Sequence, residues 1–228
     1  MKKLTQTMLL ATAVSAVFAG ANTAYAEVEV AASATVANMY LWRGQDIGSG
    51  AAAVSGDITL KANGAYAGAW SSSGDTANGN ELDLYAGYGA TAGEISFDIS
   101  LWNYVYPSMK DGTGKHTGDN TFDYAETVVS VGFKGVAFTY FYPIGKESND
   151  DYRYMTLAYG MDKVSALLGH SDDGDDTYTH LNVKYAINDK LAFTFSKVID
   201  QSLEFGKDAG AVDEDLKMVV SYSLPVEL

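Results

Sequence analysis

Carboxylates two or four residues apart are the side chains best placed to do chemistry here: Glu81 with Asp83, and Glu94 with Asp98. In an extended chain successive residues alternate sides, so each pair falls on one face. The same parity adds Glu29, Asp57 and Glu126, and it brings Arg43, Lys61, Lys184 and Lys217 to that face. The excess of acid over base leaves it negative. Facing a water-filled passage, such a surface would favour cations, as carboxylate rings do. The competing reading is a set of ion pairs that only holds a wall together, with the interior filled by its own side chains; the residues leave both open. For Arg43, one of two arginines in the chain, pairing with these acids is favoured over contact with an anionic solute. Tyr85 and Trp102 share the face and would narrow any passage.

Other chemistry is poorly supported. The run Asp172-Asp173-Gly174-Asp175-Asp176 invites a calcium reading, because Ca²⁺ takes clustered carboxylate oxygens. It lacks the spacing and terminal Glu of a calcium-binding helix–loop–helix, so an acidic, solvated tip is the expectation and no metal is assigned. Asp208, Asp213, Glu214 and Asp215 form a second acidic stretch of the same kind. Hydrolysis would need a nucleophile, a base and an orienting group. Of the three histidines, His116 lies in a long loop and His170 ends a segment on the outward face; His180 faces inward beside Asn182 with no serine close in sequence. No catalytic residue and no cofactor are assigned. A net charge of −14 argues against nucleic acid, whose phosphates require a basic surface. With no cysteine, disulfides, thiolate metal sites and lipid-modified cysteine anchors are excluded.

The elements that must position these residues are strands. About twelve segments alternate apolar and polar residues, the signature of a half-buried β-strand. The clearest sets Ile95, Phe97, Ile99 and Leu101 against Glu94, Ser96, Asp98 and Ser100. The first segment is expected from Val28 to Arg43 and the last from Leu216 to Leu224. Connections alternate in length. Tight turns are expected at Asn63-Gly64, Gly89–Gly93, Lys134-Gly135, Met161–Lys163 and Ile187–Lys190. Long polar loops lie between, the longest from Pro107 to Asn120. Asn-Gly is the strongest hairpin signal, because type I′ turns need positive φ at both central residues. Ahead of the strands, Lys2 and Lys3, an apolar run from Met8 to Ala19, and Ala24-Tyr25-Ala26 read as a cleaved export signal over residues 1–26. Residues 27–228 are then one domain.

Alternating turn and loop lengths describe an up-and-down meander whose two ends face different surroundings. A soluble sandwich or barrel shows the same alternation, but its polar face carries long charged side chains. Here that face is mostly Ser, Thr, Gly, Ala and Asp, suited to a crowded, wet interior. Aromatic residues gather near strand ends: Tyr40, Trp42, Trp70, Trp102, Tyr104, Tyr106, Tyr142, Tyr152 and Tyr178. Interfacial girdles are expected there. The expectation is an all-β fold, a closed antiparallel transmembrane barrel, since hydrocarbon allows no unpaired strand edge. Its exterior meets lipid, and Arg153, on the outward parity near the rim, is placed to meet lipopolysaccharide phosphates.

The strings Tyr40-Leu41-Trp42-Arg43-Gly44, Val54-Ser55-Gly56-Asp57 and Ala65-Tyr66-Ala67-Gly68-Ala69-Trp70 occur in order with Glu81-Leu82-Asp83-Leu84-Tyr85-Ala86-Gly87-Tyr88 and Trp102-Asn103-Tyr104-Val105-Tyr106-Pro107. Together they resemble the TorF-type porin family of proteobacteria, long described only as conserved proteins of unknown function. The likeness spans most of the chain after the export signal and is strongest from Tyr40 to Tyr142, Glu126 included. It implies an outer-membrane β-barrel with a channel role; the expectation adopted is passive diffusion of small hydrophilic solutes through a barrel inserted by the barrel-assembly machinery. It implies no particular solute. A non-conducting surface barrel acting through its acidic loops is the alternative, and an embedded lipid hydrolase a more remote one. The ending Leu224-Pro225-Val226-Glu227-Leu228 departs from the aromatic terminus usual in such barrels.

Overall fold

The computed structural model describes residues 28–75, 78–109, 113, 122–148, 150–203 and 211–226. The expected export signal, His116, Asp208 and nearly all of the Pro107–Asn120 loop beyond Met109 lie outside them.

Alternation becomes a closed barrel. The strands are β1 (Glu29–Ala37), β2 (Leu41–Trp42), β3 (Gln45–Asp46), β4 (Ala53–Ala62), β5 (Ala65–Asp75), β6 (Gly79–Ala92), β7 (Ile95–Val105), β8 (Tyr124–Phe133), β9 (Val136–Pro143), β10 (Arg153–Met161), β11 (Val164–Asp172), β12 (Thr177–Ala186), β13 (Leu191–Gln201) and β14 (Lys217–Val226). All but β2 and β3 form the wall, each antiparallel to its neighbours in chain order, and β1 pairs with β14 to close it. The seam runs from Ala32 opposite Val226 to Ala37 opposite Ser221, leaving no open edge.

Turn chemistry sets the register. Asn63 and Gly64 have φ of 51° and 84°, and Lys134 and Gly135 have 48° and 84°, as type I′ hairpins require. Each fixes which residues face each other, and with a two-residue period that decides what faces in. The outward residues are large and apolar: Val54, Ile58 and Leu60 on β4, Phe97, Ile99 and Leu101 on β7, Leu157 on β10 and Phe195 on β13 are all exposed. An apolar belt of this extent is costly in water and suits hydrocarbon.

Three sequence expectations change. The first strand ends at Ala37, not Arg43, because Asn38 stops the ladder: its side-chain amide donates to the Met218 carbonyl (3.0 Å) and accepts from the Val220 N–H (2.6 Å). Tyr40 and Trp42 therefore leave the wall instead of continuing the outward stripe of Val36. Trp70, Trp102, Tyr104 and Tyr178 do not belong to an outer girdle: Trp70 is the register partner of Asp57, Trp102 and Tyr104 face Glu126 and Tyr124, and Tyr178 shares parity with buried His180, all on the inner face. Tyr142 does face outward. Glu94, expected inside, sits in the β6–β7 turn and pairs outside with Lys134 at 3.1 Å.

Candidate functional site

The loop from Asn38 to Ala52 folds into the barrel. Its hairpin pairs Leu41 with Asp46 and Trp42 with Gln45. The Ile47 N–H donates to the Tyr40 carbonyl at 3.0 Å, drawing the base of the hairpin together. Asp46 ties down the return, its carboxylate accepting from the N–H groups of Gly48 (3.0 Å) and Gly50 (2.7 Å). At the tip stand Arg43 and Gly44, with φ of 46° and 82°. Left-handed backbone is routine for glycine and uncommon for arginine, so something must hold Arg43 there. Gly44 is required twice over: besides its φ, a Cβ at this position would lie 2.5 Å from His180 Cγ.

What holds Arg43 is a cage built mostly by the wall. The guanidinium is 3% exposed, and one of its nitrogens donates to both oxygens of Glu126 on β8, at 2.8 and 2.6 Å. Tyr104 on β7 donates to the same carboxylate at 2.7 Å. Four rings surround the guanidinium carbon: Trp42 at 4.3 Å, Tyr154 at 4.5 Å, Phe141 at 5.1 Å and Tyr152 at 5.2 Å. A cation over a ring face is attracted by its quadrupole, more strongly when water is excluded. Behind the rings, Val128, Phe141 and Tyr154 form the buried apolar cluster, with Trp102 and Tyr152 packed on it. Tyr178 on β12 donates to the Arg43 carbonyl at 3.1 Å, so backbone and side chain are both gripped.

Next to the cage is more acid than Arg43 can neutralise. Glu81 accepts from Tyr40 (2.5 Å) and Tyr106 (3.2 Å), which ties a second loop residue to the wall. Asp83, 5% exposed, has one carboxylate oxygen, Oδ1, buried without a hydrogen-bond partner. His180 is wholly buried; its Nε2 meets the Tyr154 hydroxyl at 2.8 Å and its Nδ1 meets Asn182 Oδ1 at 3.1 Å, so both ring nitrogens are engaged. A cavity of about 280 Å³ opens beside the loop, between Trp42, Gln45 and Ile47 on one side and Tyr178, Gln201 and Val212 on the other.

Towards the short turns a second, smaller network crosses the wall. The Tyr85 hydroxyl lies 2.6 Å from Asp57 and 2.5 Å from the Thr59 hydroxyl, which lies 2.9 Å from Asp57, so two hydroxyl protons serve the three contacts. Tyr66 bonds both oxygens of Asp98, at 2.9 and 3.0 Å. Tyr85 and Tyr66 lie across Gly68 and Gly87, their register partners, where a Cβ would collide with the rings. Trp102 stacks on Tyr85 with centroids 4.3 Å apart, between the two networks.

Glu94 apart, the residues expected to line a passage face inward in two groups. Arg43, Glu81, Asp83 and Glu126 meet at the folded-in loop; Asp57, Tyr85 and Asp98 lie nearer the short turns, with Trp102 between. Lys217 is buried at the rim, bonded to the carbonyls of Asp213 (2.9 Å) and Asp215 (3.3 Å) and paired with the Asp213 carboxylate at 3.3 Å. Arg153 faces outward over Tyr142 at 4.5 Å and donates to the carbonyls of Asp150 and Tyr152. In the Asp172–Asp176 loop the carboxylates close turns: Asp172 accepts from the Gly174 N–H, and Asp173 from those of Asp175 and Asp176. Asp176 accepts from Ser202. Nothing in the sequence pattern alone specifies the aromatic cage; its traces are Phe141 and Tyr154, which interrupt an inward face of small residues, and the turn dipeptide Arg43-Gly44.

A closed twelve-stranded antiparallel barrel, apolar outside and polar inside, defines a transmembrane β-barrel protein. The chain belongs to the Gcw_chp family, described as bacterial proteins of unknown function, whose profile matches residues 21–215. Among curated proteins none matches. Among solved structures, an outer membrane channel from Pseudomonas putida F1 is similar with a TM-score of 0.37 and 12% identity, over 90% of this chain and 97% of that one. So distant a likeness carries nothing about function.

Proposed function

We propose that this protein is an outer-membrane channel of the TorF-type porin kind, passing small hydrophilic solutes down their gradients with a weak preference for cations. The observation that carries the reading is the 38–52 loop, folded into a closed barrel and fastened there by Arg43 to Glu126. A loop drawn into a lumen narrows it where side chains can choose what passes. The acids around it, Glu81, Asp83 and Glu126, outnumber Arg43 and favour cations. Away from the cage, toward the short turns, the inward positions of β11, β13 and β14 are small: Ser165, Thr194, Ser196, Ser221 and Ser223. No bond is made or broken.

The same reading places the chain in the outer membrane, exported by residues 1–26 and inserted by the barrel-assembly machinery, with Arg153 at the lipopolysaccharide level. Purified protein in a planar bilayer tests it. Discrete current steps are expected, with the reversal potential displaced toward the cation under a salt gradient. A barrel that inserts folded and stays silent contradicts the channel. It would favour instead a plugged surface barrel working through its acidic loops, a reading supported by the aromatic filling around Arg43.

A further inference from the structure

Arg43 reaches its cage on a loop, whereas most of the cage belongs to the wall. Glu126 is on β8, Tyr104 on β7, Phe141 on β9 and Tyr154 on β10, all within the hydrogen-bonded barrel. These groups keep their places when the loop lifts. What remains is a carboxylate beside aromatic faces, with the unpartnered Oδ1 of Asp83 in the neighbouring acid cluster. We infer that this is a recognition site for guanidinium-bearing solutes, and that Arg43 occupies it as a tethered stand-in. The inference rests on the channel reading for where such a solute goes, but the binding itself does not.

The chemistry is specific to a planar cation. Guanidinium spreads its charge over a flat fork, is weakly hydrated, and stacks on rings while bonding a carboxylate. A compact ammonium is strongly hydrated and would lose more water than the rings return. Without the loop the cage still offers both contacts: the rings of Tyr154, Phe141 and Tyr152, at 4.5, 5.1 and 5.2 Å from the Arg43 guanidinium carbon, and both Glu126 oxygens, within 2.8 Å of its nitrogen; Trp42 leaves with the loop. Tyr104 donates to that carboxylate and fixes its orientation. Phe141 and Tyr154 pack against each other with centroids 5.2 Å apart, so two of the faces are rigid without the loop.

Arg43 weakens this site for any free solute. A side chain on a short tether competes at an effective concentration on the order of mM. The apparent affinity of the intact protein is reduced by the fraction of time the cage stands empty. The left-handed backbone of Arg43 adds local strain that the cage must hold, and that strain is relieved when a solute takes the place.

The full chain in detergent micelles, titrated calorimetrically with methylguanidinium and, at matched ionic strength, with methylammonium, tests the inference. In the Arg43→Ala barrel, saturable one-to-one binding of methylguanidinium is expected, about tenfold or more tighter than in the unmodified chain and than methylammonium in either. Glu126→Gln in the same background abolishes it. Equal binding of both cations, equal binding with and without Arg43, or no binding to a folded Arg43→Ala barrel overturns the proposal. Arg43→Gln serves if the alanine variant does not fold. The unmodified chain is a third arm: excess methylguanidinium must shift tryptophan emission by moving Trp42, and methylammonium must not; a spectrum unchanged by both also overturns it. Binding without conductance would refute the channel and leave the site standing, whereas conductance without binding refutes the site alone.

Discussion

The two halves of the lumen are built on one wall and filled in opposite ways. Towards the long loops the inward positions hold Glu81, Asp83, Tyr104, Glu126, Phe141, Tyr154, Tyr178 and His180, and a loop descends among them. Towards the short turns, Tyr66, Tyr85 and Lys184 apart, they hold small residues: Gly89, Ser96, Gly132, Ala137, Ala158, Gly160, Ser165 and Ala192. Strand geometry is the same at both levels, so closure and register do not decide how much space remains. Side-chain volume and one buried ion pair do. The crowded half depends on a cation supplied from outside the wall; the roomy half satisfies its acids, Asp57 and Asp98, with neighbouring hydroxyls.

That contrast predicts a ranking of mutational effects. Arg43→Ala strips Glu126 of its partner in a buried site, and breaking such a pair costs about 3–5 kcal/mol. The expected outcome is a large loss in denaturant resistance, read from heat-modifiable gel mobility against urea, with the loop freed from the lumen. Removing the acid instead, by Glu126→Gln, should cost a similar amount, because it strands the guanidinium. Gly44→Ala comes next. It places a side chain in left-handed backbone, which costs about 1 kcal/mol, and drives its methyl into His180. The loop should be displaced while the barrel stays folded, seen as new protease cleavage between residues 38 and 52.

In the roomy half, Tyr85→Phe removes a hydroxyl bonded to Asp57 and Thr59 and should cost about 1 kcal/mol, with little change in ion current. A current change as large as that of Gly44→Ala would erase the distinction between the halves. The smallest effect belongs to the exterior. Lys134 and Glu94 are both more than half exposed, so Lys134→Ala should shift stability by less than about 0.5 kcal/mol in the same urea series.

Much of the architecture could be read from residue order. Asn63-Gly64 and Lys134-Gly135 place hairpins because their backbone preference is local, and period-two alternation then assigns Asp57, Glu81, Asp83, Asp98 and Glu126 to one face without further information. The 38–52 loop could not be read this way. Tyr40 and Trp42 continue the parity of Val36, and nothing local marks a strand end before Arg43. The strand stops because Asn38 bonds across the seam to Met218 and Val220, contacts about 180 residues away in the chain. The girdle failed for a related reason. Aromatic residues near strand ends serve an interface or a packed lumen equally well, and only parity separates the two: Tyr142 goes out while Trp70, Trp102 and Tyr104 go in.

In the proposed channel, the 38–52 loop sets the constriction. Because the Ile47 N–H meets the Tyr40 carbonyl at 3.0 Å, residues 41–46 can be replaced by a two-glycine turn without disturbing the strands. Single-channel conductance of that shortened barrel, compared with the full chain in the same lipid and salt, is the direct measurement. A severalfold rise in unit conductance is expected, with the barrel still folded by gel mobility. An equally well folded shortened barrel with unchanged conductance, or with none, would contradict it.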